Sequence, residues 1–377
     1  MSEVYLVSAV RTPIGIGKPA GALAPLAPVD LAALVLREAV SRAGVDPGQV
    51  EDVVWGCVTP IGDQGANLGR LAVLKAGFPI QVPAVSLNRM CGSGQQALHF
   101  AAQAILSDDM DIAIAGGTEM MSHQPLGSDW PQEWPEDFPY RLVHQGISAE
   151  LMAEKWSLSR DELDDYACES HLRAMRAIQA GFFHSQVLPV TRPDGRLVEI
   201  DEGVRMPPDR ERMAALKPVF KPGGVITAGN SSQVSDGAAA LVLASERAVL
   251  RENLKPIARL AARTVVGSDP VLMLDGPIPA TLQVLRRAGL KLEDIDRVEI
   301  NEAFASVVLA WAKELGAGLE KVNTNGGAIA HGHPLGATGA VLMTKLVYEL
   351  QRSGGRYGLQ TMCIGHGMAT ATIVERL

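Results

Sequence analysis

Aromatic residues are scarce in this sequence: Phe, Trp and Tyr make up 5% of its 377 residues. Cysteine is scarcer. Cys57, Cys91, Cys168 and Cys363 contain no Cys-x-x-Cys pair and no regular spacing. In a chain of this length they do not read as a disulfide framework. No apolar run approaches the roughly 18 residues that a transmembrane helix needs, so no membrane span is expected. Positive charge is not in excess either. With 34 Lys and Arg against 42 Asp and Glu, the net charge is −8, which argues against a nucleic-acid partner. An anionic ligand would need a local basic cluster. The first eleven residues are too short and too charged for a secretion signal, and the terminal Glu375-Arg376-Leu377 is no peroxisomal address. A cytoplasmic enzyme is the default. Phosphate-binding motifs are missing as well. Gly15-Ile16-Gly17-Lys18 has the spacing of neither a dinucleotide fingerprint nor a P-loop. The stretch Gly332 to Gly339 carries no Lys-[Ser/Thr]. Nicotinamide and ATP chemistry are therefore not expected.

What is present is small residues, 38 glycines among them, and a β/α alternation. Such residues let helices pack closely on sheets and let backbone approach a ligand. Val4 to Val10 reads as a buried strand, and Val29 to Ala43 as a helix stopped by Gly44. Val50 to Val58 is a second strand. Cys91-Gly92-Ser93-Gly94 opens a helix from about Gln95 to Ser107. Asp111 to Ala115 reads as a short strand closed by Gly116-Gly117. From about Met120 to Val225 the pattern breaks into Pro, Trp and charge, as in Trp130-Pro131-Gln132-Glu133-Trp134-Pro135, with a helical stretch from Ile147 to about Ala180. This region reads as an inserted loop subdomain. The alternation resumes with a strand at Ile257 to Val266, a helix at Pro279 to Ala288, a strand at Val298 to Ile300 and a helix from Ala340 to Leu350. The class is α/β with a mainly parallel sheet.

The two halves echo each other. Val50-Glu51-Asp52-Val53-Val54-Trp55-Gly56 precedes Cys91-Gly92-Ser93-Gly94 by about 40 residues, as Asp296-Arg297-Val298-Glu299-Ile300-Asn301 precedes Gly336-Ala337-Thr338-Gly339. In each, a strand is followed by a Ser/Thr-Gly turn that opens a helix. A duplicated unit would bring both turns to one central crevice.

Several residues on these turns can carry chemistry. Cys91 sits at a predicted helix start, where the helix end favours a thiolate and the glycines leave backbone N–H groups open to a substrate carbonyl. The alternative is a buried structural cysteine. His333, in His331-Gly332-His333-Pro334, is fixed in a turn and suits a base for Cys91. The His-x-His spacing also admits a metal pair, or a histidine that only bonds a turn. Cys363 lies at a strand end before Gly365, where it faces either core or cavity. Asn301-Glu302 follows another strand end, the usual place for sites in α/β sheets, although Glu302 also suits a helix N-terminus. Cys57 and Cys168 read as structural.

Taken in order, these blocks resemble the thiolase family over nearly the whole chain. The matching blocks are Val10-Arg11-Thr12-Pro13-Ile14-Gly15, Asn88-Arg89-Met90-Cys91-Gly92-Ser93-Gly94, Gly116-Gly117-Thr118-Glu119-Met120-Met121-Ser122, Asn301-Glu302-Ala303-Phe304-Ala305, Gly332-His333-Pro334-Leu335-Gly336-Ala337-Thr338-Gly339 and Cys363-Ile364-Gly365. The resemblance implies duplicated α/β units in a five-layer α-β-α-β-α arrangement. Residues 1–118 with 226–256 would form the N-terminal domain, 119–225 the loop subdomain and 257–377 the C-terminal domain. It implies a CoA-dependent acyltransferase that cleaves a 3-ketoacyl-CoA to acetyl-CoA and a shortened acyl-CoA, or runs the reverse Claisen condensation. Cys91 would be the acylated nucleophile, His333 the base and Cys363 the acid/base. Asn301 would hold a water that forms one oxyanion hole with His333, and the N–H groups of Cys91 and Gly365 would form the other. No metal and no tightly bound cofactor are implied, because CoA and acyl-CoA are substrates. Arg205, Phe220, Ala228, Ser232 and His144 match CoA contacts. A homodimer or a dimer of dimers is implied, with a β-oxidation partner subunit as a further candidate.

Three departures stand out. His366 replaces the middle glycine of Cys-x-Gly-Gly-Gly, Gln145 stands where short-chain biosynthetic members often have Met, and the loop between Gly117 and His144 is short. They tilt the reading toward a degradative enzyme. Two other readings carry less. A decarboxylating condensing enzyme would lack the second cysteine, and a non-catalytic CoA-binding subunit would not need the intact Cys91, His333, Asn301 and Cys363.

Overall fold

The computed structural model describes residues 3–377. Nine strands form one long path, in the order Arg297–Ile300, Tyr357–Ile364, Met368–Arg376, Ala258–Gly267, Val4–Arg11, Ser235–Ser245, Ile112–Met120, Asp52–Gly56 and Ala84–Leu87. The join in the middle is thin: only Tyr5 with Arg259 and Leu6 with Ala258 pair there. The path is therefore two sheets in tandem. In the first, Asp52–Gly56 runs parallel to Ile112–Met120, then Ser235–Ser245 and Val4–Arg11 follow antiparallel. In the second, Arg297–Ile300 runs parallel to Tyr357–Ile364, then Met368–Arg376 and Ala258–Gly267 follow antiparallel. Even the outer strand Ala84–Leu87 has its counterpart, reduced to one parallel bridge between Val298 and Val322. The echo seen in the sequence is a structural duplication.

Helices complete five layers. Ser93–Leu106 and Leu335–Ser353 lie between the sheets. Their Leu98, Ile105, Met343 and Leu346 share one core cluster with Leu6, Ala115 and Leu241 of the first sheet and Ala258 and Val374 of the second. Each such Leu, Ile, Met or Val side chain contributes roughly 1.5–3 kcal/mol by leaving water. Pro28–Ala43 and Leu68–Lys75 cover the outer face of the first sheet through Leu31, Leu36 and Leu68. Pro277–Ala288 and Ala305–Leu315 cover that of the second through Val284, Val307 and Trp311. Pro28–Ala43 illustrates the local logic. A proline opens it, its apolar residues recur on one face, and Gly44 ends it in the left-handed conformation at φ 67°.

Glycine sets the separation of the central helices. A Cβ on Gly339 would lie 2.0 Å from the Gln95 nitrogen, and one on Gly117 would lie 2.0 Å from the Gly336 carbonyl oxygen. Here backbone touches backbone, which no larger residue permits. This contact corrects two expected boundaries. The strand Ile112–Met120 runs straight through Gly116-Gly117 instead of closing there, because these glycines admit Trp55 and Gly336 rather than form a turn. The second central helix starts at Leu335, not Ala340, so its Gly336 and Gly339 are helical. Two further differences have local causes. The stretch expected to be helical from Ile147 to Ala180 is two helices, Gln145–Lys155 and Arg160–Gln179. They are parted by left-handed Ser157 and restarted by a Ser159/Glu162 capping box. The strand Ser235–Ser245, buried at all eleven positions, shows no alternation in its Ala-rich sequence and has no sequence-based assignment.

Gly339→Ala is expected to cost at least about 2 kcal/mol of unfolding free energy, because overpacking cannot relax against backbone. Gly267→Ala, with nothing within 4 Å of the new Cβ, stays within about 0.5 kcal/mol. Equal urea midpoints for the two variants would contradict the helix contact.

Candidate active site

The tight helix packing aims two chain segments at one point. Cys91 precedes the central helix Ser93–Leu106, and His333 precedes the central helix Leu335–Ser353. The turn before Cys91 is pinned at several atoms. Met90 N–H donates to Asn88 Oδ1 at 2.8 Å, while Ser93 Oγ accepts from Arg89 N–H and donates to the Met90 carbonyl. Met90 is held at φ 47°, a backbone state that costs a side-chain-bearing residue about 1–3 kcal/mol. Gly92 lets this turn press on Ile364, where a Cβ would lie 2.3 Å from Ile364 Cδ1. Ile364 ends the strand that carries Cys363. Cys91 thus packs with Leu335 and Met362 in one buried cluster, near enough to Cys363 to oppose ionisation of that thiol.

The electrostatics are those of a buried site. Burial pushes the Cys91 thiol up to about 11, opposed by bonds to the sulfur from the Gln145 side chain and from the N–H groups of Gly365 and Cys91. Sequence alone suggests the opposite direction, from the helix end. Here Cys91 lies outside the first turn, and desolvation dominates. Burial, then the neighbouring Cys91, also raises Cys363. Burial lowers His333 to about 4. The resting pair is therefore neutral thiol and neutral imidazole at pH 7.

The proton on His333 has a defined position. Thr338 Oγ1 donates to the Pro334 carbonyl, so it accepts from His333 Nδ1, 2.6 Å away. Nε2 is left with its lone pair, 3.3 Å from Asn301 Nδ2. Ser235 Oγ holds the His333 N–H at 3.0 Å. His331 faces elsewhere, bonded to Asp201 and the Asn325 carbonyl, so the His-x-His pair does not converge on one ion. Glu302 also faces away. It accepts from Tyr166, Ser170, Asn323 and the Ile329 N–H, and the helix after it begins only at Ala305.

Cys91, Gln145, Gly365 and His366 line a cavity of about 210 Å³ with Met90, Leu126, Trp130, Trp134, Leu142 and His144. A second cavity, of about 410 Å³, is lined by His171, Arg205, Arg212, Leu216, Ala228 and neighbours. The five expected CoA contacts therefore divide. Arg205 and Ala228 belong to the second cavity. His144 belongs to the first and stacks on Phe220 at 5.1 Å. Ser232 lies on the segment after Ala228, its N–H bonded to the Ala303 carbonyl. Sequence reasoning gave no site role to Gln145, Ser235, Thr338 or Glu119. Thr338 and Glu119 stand inside the quoted blocks. Ser235 opens the strand that had no sequence signal.

Behind His331 lies a buried ion pair. Arg11 meets Asp201 through two bonds, at 2.8 and 3.1 Å. Arg11 and His331 hold the Asp201 carboxyl well below the usual range, despite its burial. A depressed carboxyl contributes stability above its unfolded value near 4 and loses it as pH falls toward the folded value. Arg11→Met should therefore cost about 3–5 kcal/mol at pH 7 and less at pH 3, where Asp201 of the variant is protonated. Urea unfolding at both pH values tests this, and an equal loss at each would refute it.

Comparison with known proteins agrees with this geometry. The family model for the thiolase N-terminal domain matches residues 4–247 and that for the C-terminal domain matches 254–376. The chain is 50% identical to the steroid 3-ketoacyl-CoA thiolase FadA6 of Mycobacterium tuberculosis, covering 100% of this chain and 95% of that protein. It is 43% identical to the beta-ketothiolase BktB of Cupriavidus necator, covering 100% and 99%. The crystal structure of the Bacillus anthracis acetyl-CoA acetyltransferase superposes with a TM-score of 0.93 at 38% identity, over 100% and 99% of the two chains. Duplicated sheets, paired central helices and full-length similarity lead to one conclusion: the chain belongs to the thiolase family of acyl-CoA C-acyltransferases.

Proposed function

We propose that Cys91 is the nucleophile of this thiolase, His333 its base and Cys363 the acid that completes bond cleavage. Cys91 attacks the 3-keto carbon of a 3-ketoacyl-CoA as His333 Nε2 takes its proton. The bond between that carbon and the α-carbon breaks, and its electron pair leaves as the enolate of acetyl-CoA. Cys363 protonates that carbon. The thiol of a second CoA then attacks the acyl-Cys91 thioester and releases the shortened acyl-CoA. The N–H groups of Cys91 and Gly365 converge on the sulfur, so they are directed at an oxyanion formed beside it. Asn301 and His333 serve the other oxyanion through a water, and the Asn301 Oδ1, buried without a protein partner, fits that duty. Because the resting thiol is neutral, proton transfer accompanies attack rather than preceding it. CoA and acyl-CoA are substrates, held by Arg205, Arg212 and Ala228 at one cavity and by His144, Phe220 and Ser232 on the way to the other. Residues 119–225 act as the substrate-side subdomain and supply half of the lining of the first cavity and most of that of the second. The four free thiols suit the reducing cytoplasm.

The observation that carries the substrate reading is the 210 Å³ cavity beside Cys91, walled by Leu126, Trp130, Trp134 and Leu142. A single water needs roughly 10–15 Å³ of such space, so a two-carbon acetyl group leaves most of it unfilled. We assign the enzyme to degradation of acyl groups larger than acetoacetyl, with the bulky alicyclic acyl groups suggested by the name of the steroid 3-ketoacyl-CoA thiolase as the leading class. Thiolysis should run at least about tenfold faster, by kcat/KM, on a long or ring-bearing 3-ketoacyl-CoA than on acetoacetyl-CoA. The reverse preference would exclude this assignment. Cys91→Ser should abolish acylation by labelled substrate. Cys363→Ala should still acylate from acetyl-CoA but cleave at least about a hundredfold more slowly. Undiminished cleavage by that variant would remove Cys363 from the mechanism.

The working unit in this reading is a homodimer. Ala84–Leu87 is an edge strand, and Val85, Leu71, Leu74, Ile80 and Phe100 lie exposed on or near it. Unpaired edges flanked by apolar side chains pair with another chain. Val85→Lys is expected to shift the protein to monomer in light scattering. A monomeric wild type would contradict the assignment.

A further inference from the structure

Among the residues around Cys91, His366 is one that the thiolase reading leaves without a role. His366 directly follows Gly365, where the family block has glycine, and it is held at φ 63°. That backbone state costs a non-glycine residue about 1–2 kcal/mol, and a glycine would adopt it freely. The imidazole is kept there and firmly placed. Trp130 lies 5.9 Å from it, centroid to centroid, and Trp134 meets it edge-on at 5.7 Å, with Phe138 5.6 Å behind Trp134. Nδ1 of His366 is the only buried imidazole nitrogen without a hydrogen-bond partner among the described residues. The catalytic His333 and the buried His99 and His331 all have partners. Leaving such a nitrogen unpaired costs about 1–3 kcal/mol. Two unfavourable features thus coincide on one wall of the acyl cavity.

His366 also separates two spaces. It lines the 210 Å³ cavity with Cys91 and, with Trp134 and Leu142, an outer groove of about 450 Å³ that continues along Phe138, Tyr140 and Pro270. An acyl group longer than the inner cavity must pass its ring. No Asp, Glu, Lys or Arg lines either space, and burial lowers the His366 pKa, so the ring is neutral at pH 7. A carboxylate between two tryptophans would be left without a counter-charge. A hydroxyl or ketone would not, and a neutral imidazole can donate to it or accept from it.

We propose that His366 determines specificity by hydrogen-bonding an uncharged oxygen carried on the acyl group beyond the 3-keto carbon, so that the preferred substrates are hydroxylated or oxo-substituted 3-ketoacyl-CoAs. This rests on the thiolase reading and on Cys91 lying at the head of the cavity. The selectivity belongs to the hydrogen bond and not to the shape of the ring.

The experiment compares thiolysis of 3-ketooctanoyl-CoA with counterparts bearing a hydroxyl at carbon 6, 7 or 8, and with the counterpart carrying a terminal carboxylate. At least one hydroxylated substrate should exceed the plain one by about tenfold or more in kcat/KM, and the carboxylate should not. In His366→Gly the ratio should fall to about one. In His366→Asn, which tolerates positive φ and keeps a donor and an acceptor, part of the ratio should survive. Equal rates on plain and hydroxylated substrates, a ratio that persists in His366→Gly, or a preference for the carboxylate would each overturn the proposal while leaving the thiolase intact. Failure to cleave any of the substrates would instead overturn the thiolase reading, and this inference with it.

Discussion

The site depends on one buried carboxylate. Glu119 accepts from the N–H groups of Val58, Thr59 and Gly336 and from the Gln64 side chain, all between 2.8 and 3.1 Å. Three of these donors belong to the first half and one, Gly336, to the second, 217 residues away. Burial pushes the Glu119 carboxyl up, against the pull of its donors. Such a group is stable only when every donor is in place. It therefore acts as a gauge. Where Glu119 is satisfied, Gly336 sits against Gly56 and Gly117, and the turn carrying His333 is aligned with the turn carrying Cys91.

That alignment explains how a buried site stays chemically useful. Desolvation opposes charge on Cys91, Cys363 and His333 alike. None is ionised at rest, which protects the thiols from adventitious chemistry. In the proposed reaction the directed N–H groups then matter more, because charge formed beside Cys91 meets preset dipoles in a buried surrounding. The Thr338 hydroxyl serves the same end by fixing which imidazole nitrogen is free.

Much of this was legible in the sequence, and the limits were physical. The β/α alternation and the strand–turn–helix echo pointed to the duplicated fold, because both depend on local periodicity, but the expectation of a mainly parallel sheet failed: five of the eight pairings along the path are antiparallel. Cys91, His333 and Cys363 stood out as candidates because glycine-rich turns at element ends mark where a backbone opens toward a ligand, and Asn301 because it follows a strand end. Ser235–Ser245 was invisible, since a strand buried on both faces by Ala and Leu has no alternation to read. Gly116 and Gly117 were misread as a turn, because a glycine needed for close approach looks like one needed for positive φ. The direction of the Cys91 shift was wrong for a related reason. A helix end is visible in sequence, but the depth at which it is buried is not.

The strand Val4–Arg11 is made well before its partners and placed late. It lies between Ser235–Ser245 and Ala258–Gly267, and Thr12 receives the Ala238 N–H from 226 residues further on. At the usual pace of about 5–20 residues per second, a ribosome needs roughly 10–45 seconds to supply that partner. During synthesis this apolar segment therefore waits without its sheet, and neither half can close early. The chain acquires its site only once nearly all of it exists, and Val4–Arg11 stays without both neighbouring strands until Ala258–Gly267 has been made.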